Sequence, residues 1–142
     1  MKKICVFTGA ASGINPRYKD VAYQMGQMIG SRGHGLVYGG GKSGLMGKIA
    51  DAVIAAQGHA TGIIPKFLDN VEIAHRGLDD LRVIDTMHER KNMMYETSDG
   101  FIIMPGGLGT LDETMEIIAP NAKMRQHICH FFIAIVFFFV GF

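Results

Sequence analysis

The chain has 142 residues, of which 48% are hydrophobic and 19% are charged, a composition that excludes a disordered protein and predicts one domain. Its formal net charge is only +1, so no basic face points to nucleic acid. The two cysteines, Cys5 and Cys129, match no zinc or redox spacing, and the apolar N-terminal run is too short for a signal peptide. We therefore expect a cytoplasmic protein without nucleic-acid or membrane partners.

Strand-like and helix-like segments alternate along the chain. Near-continuous apolar runs predict strands at residues 3–8, 36–38, 60–64, 81–84 and 100–104. Start and stop signals predict helices from Asn15 and Pro16 to about residue 33, from the glycine loop at 39–47 to residue 56, from Thr86 to about residue 98, and at 111–118. Strands that are apolar on both faces and alternate with helices form a parallel sheet covered on both sides. The predicted fold class is therefore α/β, a doubly wound parallel sheet in a single domain, with ligands at the carboxyl ends of its strands.

The C-terminal part of the sequence has a different character. Pro120 interrupts the last predicted helix, and residues 131–142 carry no charge and are rich in phenylalanine. We divide the chain into a domain at 1–118 and an atypical hydrophobic tail at 119–142. The tail is interpreted either as a final buried strand or as the ending of a truncated or frameshifted sequence.

The chain is organised around a glycine-rich stretch between the fifth predicted strand and the last helix. It reads Pro105-Gly106-Gly107-Leu108-Gly109-Thr110-Leu111-Asp112-Glu113. A helix N-terminus after such a turn presents free backbone N–H groups to an anion, and glycines let a phosphate approach closely. The carboxylate of Glu113, one turn further on, suggests chemistry on the molecule that carries the phosphate. The alternative is a capping box, in which Thr110 caps the helix and Glu113 reaches back to it.

A second glycine loop follows the second predicted strand. Gly39-x-Gly41-x-x-Gly44 matches the dinucleotide fingerprint, but the next strand ends at Pro65 without the acidic residue that would bind the ribose. We therefore expect this loop to hold a phosphate or a ribose phosphate and not NAD.

A third group of polar residues opens the helix after the fourth predicted strand. His88, Arg90 and Lys91 should reach the same edge of the sheet as Glu113. Arg90 can bind a phosphate or carboxylate with two hydrogen bonds. The alternative is that these residues form an ordinary solvated helix face.

Taken together, three motifs resemble one known family. They are Tyr38-Gly39-Gly40-Gly41-x-x-Gly44-Leu45-Met46-Gly47, Met87-His88-Glu89-Arg90-Lys91 and Pro105-Gly106-Gly107-x-Gly109-Thr110-x-x-Glu113. In this order they resemble the Lonely Guy (LOG) family of cytokinin riboside 5′-monophosphate phosphoribohydrolases, also labelled possible lysine decarboxylase. The resemblance covers about residues 3–118 and implies a Rossmann-like fold, a homodimer and a role in cytokinin biosynthesis. It implies a hydrolase that cleaves the N-glycosidic bond of a cytokinin or purine nucleoside 5′-monophosphate, giving free base and ribose 5-phosphate.

The resemblance also implies the site residues. Arg90 and Glu113 match the family's catalytic pair. The positions predicted to bind substrate or phosphate are Glu72, Lys91, Gly106, Gly107, Gly109 and Thr110, with Gly40, Gly41 and Ser12 from the two earlier loops. Ser12 lies in Gly9-Ala10-Ala11-Ser12-Gly13, where the family usually has Gly-Ser-Ser.

Cleavage of an N-glycosidic bond builds positive charge on the ribose, which a carboxylate can stabilise while it orients water. We expect no metal or organic cofactor. The other function class that the sequence leaves open is a nucleotide-binding protein of the same fold without turnover.

Overall fold

The computed structural model describes residues 1–69 and 73–118, together with the backbone of residues 132–135. The elements in chain order are β1 (Lys3–Phe7), α1 (Arg17–Ser31), β2 (Gly35–Tyr38), α2 (Gly44–Ala55), β3 (Ala60–Pro65), α3 (Lys66–Leu68), β4 (Asp80–Ile84), α4 (Met87–Thr97), β5 (Gly100–Ile103), α5 (Leu108–Ile118) and β6 (Phe132–Ile135). Within the described residues the strands form one six-stranded sheet in the order β4-β3-β2-β1-β5-β6, and every neighbouring pair is parallel. The predicted α/β class with a parallel sheet is confirmed.

Side chains alternate between the two faces of the central strand, so both faces of the sheet are buried. On β1, Val6 packs into a core with α1 and α2, whereas Cys5 and Phe7 pack into a second core with α4 and α5. Ile49 is among the fully buried residues of the first core, and Met94 contributes to the second. This division explains why the central strands are apolar on both faces, whereas β4, at one edge of the sheet, contains Asp80 and Arg82 and has no buried residue.

The helix starts test the capping predictions. Asn15 accepts a hydrogen bond from the backbone N–H of Arg17 at 3.0 Å, as expected of a residue that caps α1. The capping box at the start of α4 is confirmed, because Thr86 and Glu89 each accept from the other's backbone N–H. The alternative capping box at Thr110 is wrong, since α5 begins at Leu108 and Thr110 lies inside its first turn.

The position of a ligand site follows from the strand order. From β1 the chain adds β2, β3 and β4 on one side, and it then crosses to add β5 and β6 on the other side. The order therefore reverses between β1 and β5, and such a reversal opens a crevice at the carboxyl ends of the two strands. In the tail, Phe132–Ile135 forms a strand that pairs with β5, whereas its predicted burial and residues 119–131 and 136–142 lie outside what the structure describes. In the part of the chain that is described, no helix has the length and apolar character needed to cross a membrane.

Candidate active site

A cavity of about 770 Å³ lies at the carboxyl edge of the sheet, beside the ends of β1 and β5. Its walls come from the ends of these two strands, the loops that follow them, the first residues of α4 and the first turns of α5. Polar side chains in the lining come from Thr8, Arg90, Thr110, Asp112, Glu113 and Thr114, and bulky apolar ones from Val6, Phe7, Tyr18, Leu45, Met46, Leu68, Met87, Ile103, Met104, Leu108 and Leu111. The cavity thus combines a polar end beside the glycine-rich loop with an apolar wall.

The loop after β5 is held firmly at its base and is open at its tip. The carbonyl of Pro105 accepts hydrogen bonds from the backbone N–H of Gly9 and from the hydroxyl of Thr8, both at 3.0 Å. Gly106 packs so closely against the Thr110 side chain that a Cβ there would overlap with its hydroxyl. Gly107 and Gly109 are exposed, and apart from their chain neighbours and the adjacent helix backbone no described atom lies within 4 Å of where their Cβ atoms would be. The backbone at the start of α5 is therefore accessible to an anion.

Arg90 is a buried cation in the wall of the cavity. It is only 4% exposed, although it lies in the first turn of α4. Its Nε donates to the carbonyl of Ile63 at 3.1 Å, and its Nη2 donates to the carbonyl of Gly39 at 3.0 Å. A Cβ on Gly39 would collide with the guanidinium, so glycine is required at this position. The ends of β2 and β3 thus fix the orientation of the Arg90 side chain.

Glu113 reaches the same cavity from the second turn of α5 and is half-buried. Both charges act on the thiol of Cys5, which lies on β1 beneath the cavity. Burial raises the pKa of Cys5 well above its usual range and the Glu113 carboxylate raises it further, whereas a hydrogen bond with Ser98 and the Arg90 charge lower it. The structure therefore brings the two residues expected to be catalytic to one cavity.

Lys91 takes a different direction from Arg90. Its Nζ donates to Asp112 Oδ2 at 2.5 Å and to Glu116 Oε1 at 2.9 Å, and so links α4 to α5. Asp112 lines the cavity, whereas Lys91 itself does not. Burial alone would lower the pKa of Lys91, but the two carboxylates outweigh burial and raise it. Lys91 therefore connects α4, which carries Arg90, to α5, which carries Glu113, through two salt bridges.

The two earlier glycine loops contribute less to the cavity than expected. Gly40 packs against β3 and Gly41 pairs with Ala74, so that Gly39 is the residue of this loop that lines the cavity. Ser12 is half-buried but is not among the lining residues, although its neighbours Ala10, Ala11 and Gly13 are. Glu72 lies outside the described residues. Among the residues that the sequence analysis missed are Thr8, Gly39 and Met87; the signal for Gly39 was its place directly after β2.

Comparison with known proteins identifies the family. The family model described as "Possible lysine decarboxylase" matches residues 46–138. The chain belongs to this family. Its Lonely Guy (LOG) members include a relative from Oryza sativa subsp. japonica, named "Probable cytokinin riboside 5′-monophosphate phosphoribohydrolase LOGL9", which is 43% identical over 118 residues. Cytokinin riboside 5′-monophosphate phosphoribohydrolase LOG1 from Arabidopsis thaliana is 45% identical over 117 residues.

These matches cover 83% and 82% of the chain but only 52% and 55% of the two LOG relatives. The chain therefore spans about half the length of the curated relatives it matches.

Solved structures with the same fold include carriers of a cofactor. The molybdenum cofactor binding protein from Rippkaea orientalis has a TM-score of 0.71 at 24% identity, covering 94% of this chain and 90% of that one. The Moco carrier protein from Chlamydomonas reinhardtii has a TM-score of 0.72 at 18% identity, covering 94% and 88%. At these identities the likeness shows the fold alone, and it confirms the Rossmann-like architecture.

Proposed function

We propose that this LOG-family chain hydrolyses the N-glycosidic bond of a nucleoside 5′-monophosphate and releases the free base and ribose 5-phosphate. The observation that carries the proposal is the convergence of Arg90 and Glu113 on one cavity, beside an accessible helix N-terminus. The names of the LOG relatives support cytokinin riboside 5′-monophosphates as the substrate class, and with them a role in cytokinin biosynthesis. Purine nucleoside monophosphates are the simpler substrates of the same kind. The free, buried thiol of Cys5 fits a reducing cytoplasm.

The phosphate is placed at the loop after β5. Backbone N–H groups near Gly107 and Gly109, together with the Thr110 hydroxyl, would bind its oxygens, and the dipole of α5 favours the negative charge. Gly106 keeps Thr110 close to the loop because no side chain separates them. The apolar wall on the other side of the cavity offers a surface for the base.

Glu113 is assigned the chemical role. As the bond between C1′ and the base breaks, positive charge develops on the ribose ring, and a carboxylate beside C1′ stabilises it. The same carboxylate can take a proton from the attacking water, whose oxygen forms the new bond to C1′, while the departing base nitrogen takes up a proton from solvent. Arg90, fixed by two backbone carbonyls, orients the sugar phosphate relative to Glu113. Water is the only co-reactant in this balance, so the proposal requires no metal or organic cofactor.

The decarboxylase label of the family is a weaker candidate for this chain. Amino-acid decarboxylation normally uses pyridoxal phosphate bound to a lysine whose neutral amine attacks the aldehyde. Lys91 lies closest in sequence to Arg90, but its ammonium is held by two carboxylates and its pKa is raised. A lysine in that setting is a poor nucleophile.

We also propose a homodimer. Leu108, Leu111 and Met115 are 77%, 52% and 54% exposed at spacings that place them on one face of α5. An apolar helix face of this kind supports a self-complementary interface with a second copy of the chain. Sedimentation should show a dimer that Leu111→Glu dissociates. A wild-type monomer, or a dimer unaffected by Leu111→Glu, would contradict the proposal.

The activity is tested by incubating the purified chain with AMP and with N6-alkylated adenosine monophosphates, and by measuring free base and ribose 5-phosphate. Glu113→Gln should abolish turnover and retain nucleotide binding by calorimetry, because only the charge that the transition state needs is removed. Glu96→Gln, on an exposed position of α4, is the matched control and should behave like wild type. Normal turnover by Glu113→Gln would refute the assignment. Binding without release by the wild-type chain would favour the non-catalytic alternative.

A further inference from the structure

A second polar cluster lies behind the cavity, where the loop after β2 meets residues 73–77. His75 is 6% exposed, and its Nε2 lies 2.8 Å from Asp51 Oδ1 on α2. The backbone N–H of Gly77 donates to His75 Nδ1 at 3.2 Å. Since an N–H can only donate, Nδ1 must be the acceptor, and the proton therefore sits on Nε2 and is donated to Asp51. Both ring nitrogens are satisfied, so the imidazole has one fixed orientation.

This imidazole joins the 73–77 segment to the glycine loop. The backbone N–H of His75 donates to the carbonyl of Gly40, and that of Lys42 donates to the carbonyl of Ile73, both at 2.9 Å. Gly41 and Ala74 form an antiparallel bridge between these two bonds. The two segments therefore run side by side as a short ladder at the end of β2, and the Asp51–His75 pair anchors its outer strand to α2.

The backbone of the anchored segment is strained. Ile73 has a φ of +52°, in the left-handed region that a β-branched residue rarely adopts. Such a conformation persists only where its surroundings hold it in place. The hydrogen bond from Lys42 and the nearby His75 anchor provide that constraint.

The ladder leads directly to the cavity. Gly39, whose carbonyl accepts from Arg90 Nη2 at 3.0 Å, is the residue before Gly40. The Asp51 charge also acts at the end of β2: burial raises the pKa of Tyr38, and the Asp51 carboxylate adds to the rise. Any movement of the glycine loop would move the carbonyl that orients the Arg90 guanidinium.

We propose that Asp51 and His75 are positioning residues for the reaction, which hold the loop after β2, and through Gly39 the Arg90 side chain, in the geometry that catalysis needs. This inference rests on the phosphoribohydrolase activity proposed above. Neither residue lines the cavity, so the pair acts through Arg90 and not by contact with substrate.

Asp51→Ala tests the pair without threatening the fold. The Asp51 side chain is 59% exposed on a helix, and alanine favours helix formation. We expect kcat to fall about tenfold with little change in KM, because misplacing a catalytic group affects the transition state more than ground-state binding. Asp51→Asn keeps an oxygen that can accept from His75 Nε2 and should restore most of the activity. Asp20→Ala, the same change at an exposed position of α1, is the control and should leave kcat unchanged.

Hydrogen exchange supplies a readout that does not depend on turnover. The amides of Lys42 and His75, which donate across the ladder, should exchange about tenfold faster in Asp51→Ala than in wild type or Asp20→Ala. Unchanged exchange would overturn the anchoring role. If Asp51→Ala exchanged these amides faster but kept the wild-type kcat, the link to Arg90 would be wrong. The link would also be wrong if kcat fell equally in Asp51→Ala and Asp20→Ala. If wild type itself released no base, the proposed activity would fail, while the exchange arm would still decide whether the pair anchors the loop.

Discussion

Gly39→Ala tests whether activity depends on the orientation of the Arg90 side chain, which the Gly39 carbonyl after β2 helps to fix. A Cβ on Gly39 would overlap with Arg90 Nη2, and it would also lie 3.1 Å from the guanidinium carbon and from Met46 Sδ. The backbone of Gly39 is not in the left-handed region, so alanine introduces no backbone strain of its own. The effect of the substitution therefore comes from displacing the guanidinium.

The magnitude follows from the hydrogen bond that is lost. A hydrogen bond to a charged group contributes about 1.5–3 kcal/mol, and the displaced Arg90 loses at least the bond to the Gly39 carbonyl. If that energy holds the guanidinium in its catalytic orientation, kcat/KM should fall about ten- to hundredfold, at roughly 1.4 kcal/mol per factor of ten. The decrease in kcat/KM is measured from the rate at which ribose 5-phosphate is released from a nucleoside monophosphate.

Two comparisons separate this reasoning from general damage to the fold. Gly35→Ala places the same methyl group at the other end of β2, where its nearest described neighbour is Lys3 Cγ at an ordinary 3.6 Å, and it should keep wild-type kcat/KM. In an Arg90→Ala background, Gly39→Ala should cause no further loss, because both changes act through one side chain. Wild-type kcat/KM in folded Gly39→Ala, or equal losses at Gly35 and Gly39, would refute the argument.

Two further substitutions probe the helices that carry Arg90 and Glu113, the proposed catalytic pair. Lys91→Met keeps the aliphatic stem but removes the ammonium between Asp112 and Glu116. We expect kcat to fall more than KM rises, because α5 is then held less firmly. A large rise in KM at constant kcat would instead indicate that Lys91 contacts the substrate directly. Thr86→Ala removes the capping box of α4 and should lower the free energy of unfolding by about 0.5–2 kcal/mol in a denaturant titration. An unchanged unfolding midpoint for Thr86→Ala would show that the cap contributes nothing to stability.

Most strands were predictable because they are short apolar runs followed closely by glycine or proline; β4, which contains Arg82 and is followed by Asp85, is an exception. The predicted and observed bounds of β1 and β5 differ by one residue, and the long helices lie where the capping signals placed them. The start of α5 was misplaced because glycine disfavours helix interiors. In the structure Gly109 is nevertheless helical, and Leu111 donates to the Gly107 carbonyl.

The candidate catalytic residues were predictable from the sequence, but the hydrogen bonds that hold the Arg90 side chain and its neighbouring loop in place were not. The motifs identified Arg90 and Glu113, and their place after parallel strands put them at one edge. The carbonyls that hold Arg90 are 27 and 51 residues away in sequence, and His75 is 24 residues from Asp51. Contacts of that range depend on how β2, β3 and α4 pack together, and no local pattern encodes them.

Glycine spacing alone does not distinguish the three glycine-rich loops, whereas their hydrogen bonds and exposure do. The loop after β1 is tied to its neighbours, since Gly9 donates to Pro105 and accepts from Met46.

The loop after β2 bonds to residues 73–75, and at Gly44 (φ +62°) a side chain would strike the backbone of Ala10.

In the loop after β5, Gly107 and Gly109 are exposed, with open space where a side chain would lie. Backbone N–H groups already engaged within the protein cannot also bind an anion, whereas those at the start of a helix have no intrahelical partner. The first two loops therefore contribute walls of the cavity and, through Gly39, hold Arg90, and we expect a substrate phosphate to bind the backbone N–H groups of the third.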